Sequence, residues 1–136
     1  MIQLMTIPQT KTVLDMWFDK LDKLNEDTQA VKDYKETLEE VIGHANVYVY
    51  LDDNDIKAAA IIHEGYYLSD LIYQDKEIAI ELIEEIKKRY DELQADVHVD
   101  DKLNEVLAAT GFKFLGKSQH DLFSYEENQY EYLEQE

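Results

Sequence analysis

The stretch 66-YYLSDLIYQDKEIAIELIEEIKKRY-90 joins an apolar extended segment to an amphipathic segment with almost no linker. Residues 66–73 are rich in aromatic and aliphatic side chains, which is typical of a buried strand. From residue 76 to residue 90 the apolar positions recur at three- and four-residue spacing, which predicts a helix. The side chains expected to face the sheet are Ala79, Leu82, Ile83, Ile86 and Tyr90. The remainder of the chain can be arranged around this strand–helix unit.

Strand patterns flank the unit on both sides. Residues 47–51 and 56–63 are two extended runs separated by the turn cluster Asp52-Asp53-Asn54-Asp55, which predicts a hairpin. A second turn at Glu64-Gly65 leads into residues 66–73, so these three strands should form an antiparallel meander. Residues 95–100 alternate apolar and polar residues after the helix. A strand–helix–strand unit of this kind pairs its strands in parallel through a right-handed crossover.

The outer segments complete an α+β layout. A short strand near residues 2–7 precedes helices over about residues 14–24 and 28–45. A short helix from about residue 103 ends at Gly111, and strands follow at 112–115 and 122–125. We predict one domain over residues 1–136, with the order β-α-α-β-β-β-α-β-α-β-β and helices on both faces of a single mixed, mostly antiparallel sheet. The acidic tail from about residue 126 is expected to be frayed.

Charge and cysteine content narrow the functional classes. The 136 residues include 31 acidic and 13 basic side chains, for a net charge of -18. Such a field repels nucleic acid and anionic lipid and attracts cations, so the partners we expect are a cationic small molecule or a basic protein. The charge is also typical of a solvated surface that aids solubility. The chain has no cysteine, and its N-terminus lacks a signal-peptide pattern, so we expect a cytoplasmic protein with no membrane span.

Several stretches in this order resemble the GCN5-related N-acetyltransferase family. They are the hairpin VYVYLDDNDIKAAAII, the strand YYLSDLIY with its helix, and the ending ADVHVDDKLNEVLAATGFKFLGKS. The resemblance implies that acetyl-CoA binds between residues 66–73 and 95–100, two parallel strands that splay apart. It assigns cofactor contacts to the backbone of Leu71, Ile72 and Tyr73 and to Lys76 at the helix start.

The chain departs from the family pattern at two places. The family has a glycine-rich basic loop for the pyrophosphate, whereas this chain has only Gln74-Asp75-Lys76-Glu77. Backbone N–H groups and a helix dipole bind phosphate, and carboxylates at the same helix end compete with it. The tyrosine that the family uses to protonate the leaving thiol falls on Leu107, and its strand-end asparagine falls on Asp100.

The candidate catalytic residues are carboxylates beside the expected cleft. Glu64 follows the strand that ends at His63, and Asp70 lies in the strand expected to meet the thioester. Either group could deprotonate an amine, although both positions are also typical of solvated strand ends. The four histidines show no metal-binding spacing, so no metal is expected.

Two functions remain open from the sequence. The first is an atypical acetyl-CoA-dependent N-acetyltransferase that acts on a cationic amine. The second is a non-catalytic acidic binding or assembly module with the same fold, which has lost acetyl-CoA binding and could form homo-oligomers. A more distant alternative is an acidic mimic of nucleic acid, which only the charge supports.

Overall fold

A computed structural model describes residues 1–134, and within that range one mixed sheet contains seven strands in the order β1-β2-β3-β4-β5-β7-β6. The predicted α+β class and helix placement are confirmed. The elements are β1 (Ile2–Leu4), a 3-10 turn (Ile7–Gln9), α1 (Thr10–Asp22), α2 (Thr28–Ile42), β2 (Asn46–Asp52), β3 (Asp55–His63), β4 (Tyr67–Tyr73), α3 (Lys76–Lys87), β5 (Glu92–His98), α4 (Leu103–Ala109), β6 (Lys113–Gln119) and β7 (Glu126–Leu133).

The predicted hairpin closes with a two-residue loop. Asp52 pairs with Asp55, and the two residues between them, Asp53 and Asn54, have φ of 50° and 72°. Positive φ at both central positions matches the right-handed twist of the flanking strands, and Asn and Asp tolerate it better than most residues. This local chemistry explains why the hairpin could be located from sequence.

The sheet buries a separate apolar cluster on each face. Along β3, Ala58, Ala60 and Ile62 pack beneath α3 and α4, whereas Ala59 and Ile61 pack beneath α1 and α2. This period-two alternation is that of a strand buried on both sides. Every one of these five side chains is at most 1% exposed, so β3 lies at the centre of the molecule.

A β-bulge changes the direction of side chains along β4. Ile61 pairs with Asp70 while Ile62 pairs with Leu68, which leaves Ser69 as an extra residue. The bulge puts Leu68 and Leu71 in the same apolar cluster despite their odd spacing, and it turns Asp70 toward α1. Bulges of this kind often re-aim a side chain beside a functional site.

The parallel strands β4 and β5 pair over a short distance only. Tyr67 and Leu68 pair with Gln94 and Ala95, and within residues 1–134 no pairing of these strands continues past Leu68. The C-terminal half of β4 is therefore paired with β3 on one edge and open on the other. This is the splay that the resemblance implied, with β5 beginning three residues earlier than predicted.

The prediction for the C-terminal segment is wrong. Residues 122–125 are not a strand, and residues 126–133, expected to be a frayed acidic tail, form β7. This strand lies between β5 and β6 and pairs with both. Tyr130 is buried at 7% exposure beneath α4. Residues 126–133 form a strand because their backbone pairs with strands on both sides and because Tyr130 is buried. Together these contributions outweigh the weak strand propensity of glutamate. Gln135 and Glu136 lie outside the described residues.

Candidate functional site

A cavity of about 220 Å³ lies between the N-terminal half of β4, β5 and the helices α1 and α2. We call it the acid-lined cavity. Its carboxylate-bearing residues come from four different segments, and the described residue that brings an ammonium group to its lining is Lys20. The lining carboxylates are Asp70, Asp96, Asp100, Asp101 and Glu127. The excess of negative charge in a partly closed space favours a cationic ligand.

Asp70, one of the predicted catalytic residues, lies in the wall of this cavity but is already engaged. Its carboxylate accepts hydrogen bonds from Trp17 Nε1 at 2.6 Å, from Lys20 Nζ at 3.0 Å and from the Leu71 backbone N–H at 2.8 Å. Trp17 is fully buried, so the indole holds the carboxylate in place. Asp70 is therefore an anchor for neighbouring groups, and three donors already contact its two oxygen atoms.

Lys20 bridges two carboxylates on the cavity wall. Its Nζ lies 3.0 Å from Asp70 Oδ1 and 3.3 Å from Asp101 Oδ2. Burial alone would lower the pKa of Lys20, but these two carboxylates outweigh burial and raise the pKa above its ordinary value. The side chain thus remains an ammonium ion, and the wall already holds one primary ammonium between two aspartates.

Asn104 fixes the loop that carries two of the cavity carboxylates. Its Nδ2 donates to the carbonyl oxygens of His98 at 2.9 Å and Asp101 at 2.7 Å. Its Oδ1 accepts from Asn128 Nδ2 at 2.9 Å and from Tyr130 Oη at 2.8 Å. The β5–α4 loop, which contains Asp100 and Asp101, is thereby tied to β7.

Aromatic rings contribute to the lining of the acid-lined cavity as well. The rings of His98 and Tyr125 lie 3.9 Å apart, and His120 stacks on Phe123 at 4.8 Å. Tyr34 also lines the cavity, and burial, followed by Asp70, raises its pKa. The phenol therefore stays neutral. Aromatic faces beside carboxylates suit alkylammonium groups, which gain cation–π attraction from the rings.

Glu64, the other predicted catalytic residue, is not part of this arrangement. It is an exposed residue in the turn between β3 and β4, with φ of 57°, and it does not line the acid-lined cavity. The structure therefore does not bring Glu64 and Asp70 together around one ligand space.

A second space, of about 560 Å³, lies along the open half of β4, and we call it the strand groove. Leu71, Ile72 and Tyr73, the predicted cofactor-contacting residues, all line it. Lys20 and Asp101 line both this groove and the acid-lined cavity, so the two spaces meet at the ion pair. Lys76 does not line the groove; its Nζ lies 3.5 Å from Glu105 Oε2.

The strand groove fits only part of acetyl-CoA. Its open backbone edge suits the pantetheine arm, but the start of α3 is already capped. The Asp75 carboxylate accepts from the Glu77 backbone N–H at 2.8 Å, and Glu77 adds a second carboxylate to the first turn. A pyrophosphate placed at this helix start would meet negative charge. Leu107, at the family's tyrosine position, is fully buried and has no proton to donate.

Glu127, Tyr125, His120 and Tyr34 line the acid-lined cavity, although none of them was among the predicted site residues. His120 was expected in a turn, Tyr125 in a strand and Glu127 in the tail, and Tyr34 was expected to pack on the apolar face of the second helix. The usable signal was the alternation in residues 126–133, where Asn128, Tyr130 and Tyr132 occupy one face and Glu127 the other.

Among the described residues there is neither a cluster of metal-binding side chains nor a membrane-spanning helix. Across residues 1–134, no group of three or more His, Asp or Glu side chains is arranged to hold a metal ion. No helix in the same range is long and apolar enough to cross a membrane.

Comparisons with known proteins show likeness in structure only. No family model matches the chain, and no curated protein matches it in sequence. An aminoglycoside N(6')-acetyltransferase of Legionella pneumophila is similar at 14% identity and a TM-score of 0.72, covering 98% of this chain and 91% of that one. A GCN5-related N-acetyltransferase of Rhodopseudomonas palustris gives 8% identity, a TM-score of 0.73 and coverages of 98% and 94%.

A third similar structure was solved with a ligand. It is yncA of Salmonella typhimurium with its cofactor acetyl-CoA, at 9% identity, a TM-score of 0.70 and coverages of 98% and 92%. At these identities the likeness establishes the fold over nearly the whole chain, while the site residues must be argued from the chain itself.

Proposed function

Because this chain has the fold of the GCN5-related N-acetyltransferases, we propose that it is an acetyl-CoA-dependent N-acetyltransferase with a small cationic amine as acceptor. The observation that carries the proposal is the acid-lined cavity, which meets the strand groove at the Lys20–Asp101 ion pair. One space is suited to a thioester arm and the other to an ammonium group. Their junction is where an acyl group could pass between them.

Size and charge support the acceptor class. At about 220 Å³ the cavity is smaller than the roughly 300–1,000 Å³ of sites for drug-sized ligands. It suits a short alkylamine or the end of an extended amine better than a multi-ring substrate. Five carboxylates against one ammonium in the lining favour a positive ligand over a neutral one.

The residues of the chain have separable tasks in this proposal. Acetyl-CoA, when bound, supplies an electrophilic thioester carbonyl. The open backbone edge of β4 beyond Ser69 would orient the thioester arm by hydrogen bonds, as an added strand pairs with a sheet edge. The cavity carboxylates bind the ammonium group. The Lys20 ammonium places positive charge at the junction, where negative charge develops during acyl transfer.

The acetyl-CoA part is tested by thermal unfolding. A ligand at about 100 times its dissociation constant adds roughly 2.7 kcal/mol of stability, so millimolar acetyl-CoA should raise the melting temperature measurably. The acetyl thioester of pantetheine, which lacks the phosphates of acetyl-CoA, is the matched ligand. We expect it to bind nearly as well as acetyl-CoA, because the structure has no preformed pocket for the phosphates. If neither ligand changes the melting temperature, the enzyme proposal is wrong.

The acceptor part is tested by thiol release with n-butylamine and its neutral isostere 1-butanol. We expect turnover with the amine alone. Asp96→Asn, which removes one of the five negative charges around the cavity, should raise KM for the amine several-fold, because the cavity then attracts the ammonium group less strongly. Asp53→Asn at the exposed hairpin tip removes the same charge and should leave KM unchanged. Equal effects of the two variants would contradict a specific amine site.

A second candidate function is the non-catalytic acidic binding or assembly module. The capped start of α3 and the buried Leu107 favour it, because both remove equipment that the family uses. In that case acetyl-CoA would leave the melting temperature unchanged, while cationic ligands or a basic protein would still bind. The same unfolding experiment therefore separates the two functions.

A further inference from the structure

We propose that Glu127 is the carboxylate that pairs with the ammonium group of the bound amine and accepts its proton. The proposal deepens the proposed function and rests on it for the final acyl-transfer step, but the ionic pairing is independent of acetyl-CoA. Glu127 lies on β7, a strand that the resemblance does not implicate, and it lines the acid-lined cavity.

Of the other four cavity carboxylates, three already accept hydrogen bonds and the fourth is exposed to solvent. Asp70 accepts from Trp17, Lys20 and its own neighbour's backbone. Asp96 accepts from Tyr67 Oη at 2.9 Å. Asp101 is held by Lys20 and by the Leu103 backbone N–H at 2.8 Å. Asp100 is exposed. Within residues 1–134 the Glu127 carboxylate makes no hydrogen bond or ion pair, so its oxygen lone pairs are available to a ligand.

The two histidines in the lining do not offer a free acceptor. His98 Nδ1 accepts from the Asp100 backbone N–H at 2.9 Å. His120 Nδ1 accepts from the Leu122 and Phe123 backbone N–H groups, both at 3.0 Å. These bonds assign the proton of each neutral ring to Nε2, which leaves neither ring with an unused lone pair. Burial also lowers the pKa of His120.

Burial and neighbouring charge place Glu127 in the right protonation range. Burial, followed by the carboxylates of Asp96, Asp121 and Asp70, raises the pKa of Glu127 to about 7. A general base is most effective when its pKa lies near the operating pH. The titratable groups around Glu127 are Lys20 on α1, Tyr34 on α2, Tyr67 and Asp70 on β4, Asp96 and His98 on β5, Asp100 and Asp101 in the β5–α4 loop, and His120, Asp121 and Tyr125 in the β6–β7 connection.

The proton balance of the reaction requires such a group. A protonated amine carries one proton more than a nucleophilic amine, and this proton moves from nitrogen to the Glu127 carboxylate. The freed nitrogen lone pair then forms the N–C bond to the acetyl carbon while the C–S bond breaks and its electron pair leaves with sulfur. A second N–H proton ends on the thiol product. Glu127 returns its proton to solvent, so the enzyme is restored.

The pKa of Glu127 also predicts how stability depends on pH. Its folded-state pKa, about 7, lies above the ordinary value of 4.5, so the folded state holds a proton that the unfolded state has lost between these values. Stability from this group is therefore present below about pH 4.5 and is lost as pH rises through 7. In Glu127→Gln this loss should disappear, and the variant should be more stable than the parent above pH 7.

The decisive experiment is calorimetric titration of n-butylamine at pH 7 in two buffers of different ionisation enthalpy, without acetyl-CoA. Near its pKa Glu127 is about half protonated, so pairing with the ammonium should release about half a proton per amine bound. Glu127→Gln should bind more weakly and release none. Glu126→Gln, at the exposed neighbouring position on the same strand, should behave like the parent protein.

Each result decides the proposal. Proton release that persists in Glu127→Gln, or no amine binding by the parent protein, would overturn it. Amine binding with Glu127-dependent proton release but no thiol release from acetyl-CoA would support the assignment of Glu127 to the amine site and refute the acetyltransferase function. If turnover occurs, Glu127→Gln should lower kcat and remove the acidic limb of the pH–rate profile, whereas a purely structural role would leave the shape of that profile unchanged.

Discussion

The two ends of β4 differ in how they are built. Its N-terminal half borders the acid-lined cavity, whose residues come from α1, α2, β4, β5, the β5–α4 loop, α4, the β6–β7 connection and β7, among other segments. Its C-terminal end leads directly into α3 through Gln74 and Asp75. The start of this helix is capped by a hydrogen bond from the Glu77 backbone N–H to the carboxylate of Asp75, only two residues away. The acid-lined cavity, which we call the acceptor side, thus depends on long-range packing. The start of α3, where the cofactor would bind and which we call the donor side, depends on local sequence. Changes on one side should affect the other only weakly.

The largest expected effect comes from removing the strand that completes the acceptor side. Truncation after Tyr125 deletes β7, so β5 and β6 each lose a paired neighbour in the sheet and Glu127 is lost as well. We expect thermal unfolding followed by circular dichroism to lose its cooperative transition. The edges of β5 and β6 would have unpaired backbone groups, and the core around Tyr130 would be exposed to solvent. Deleting only residues 134–136 is the matched truncation and should leave a cooperative transition. A folded product of the first truncation would show that β7 is dispensable.

A smaller effect is expected where the two ends meet. Asp70→Asn keeps the shape of the side chain but removes the charge that Trp17 and Lys20 contact. We expect a loss of about 1–3 kcal/mol in the free energy of unfolding measured with urea, because partners in a partly buried network lose a charged acceptor. Asp19→Asn breaks the exposed pair with Lys23 and should cost under about 0.5 kcal/mol. Similar losses in the two variants would mean that the Asp70 network is only a surface pair.

The smallest effect should appear on the donor side, where stability and binding are expected to change in opposite directions. Asp75→Ala removes the cap of α3 and should cost about 1 kcal/mol of stability. The same change removes negative charge from the helix start, so the affinity for acetyl-CoA measured by calorimetry should rise.

Asp27→Ala provides the control for this donor-side change. Asp27 caps α2 by accepting from the Ala30 backbone N–H at 3.1 Å, and it lines neither the cavity nor the groove. It should cost similar stability without any gain in affinity. If both variants leave acetyl-CoA binding unchanged, the capped helix start is not what opposes the pyrophosphate.

The parts of the fold that could be predicted from sequence are those with local causes. The hairpin at Asp53-Asn54 follows from turn chemistry, α3 from apolar periodicity, and the capped start of α3 from Asp75 itself. Of the site residues, the prediction placed Asp70 correctly in the strand beside the cleft, but it could not know that Trp17, 53 residues away, donates to it. Partners so distant in sequence leave no periodic signal.

The C-terminal strand illustrates the opposite case. Residues 126–133 are polar and acidic, and their strand propensity alone favours a loose end. They are ordered because β5 and β6 supply hydrogen-bond partners on both sides and because Tyr130 contacts Asn104 beneath α4. Tertiary context thus overrides strand propensity here, and for the same reason Glu127 could not be predicted as a site residue.

Three features can be recognised from the amino-acid sequence alone: the strand–helix unit at residues 66–90, the α+β order and the carboxylates at the start of α3. Each of these follows from residues within one or two turns of one another, where periodicity and capping act. It is the assembled fold that brings β7 into the sheet, engages Asp70 with Trp17 and Lys20, and leaves Glu127 as a half-buried cavity carboxylate without a hydrogen bond or ion pair among the described residues. Those outcomes depend on contacts between distant segments, whose free energy arises only when the sheet and its helices have assembled.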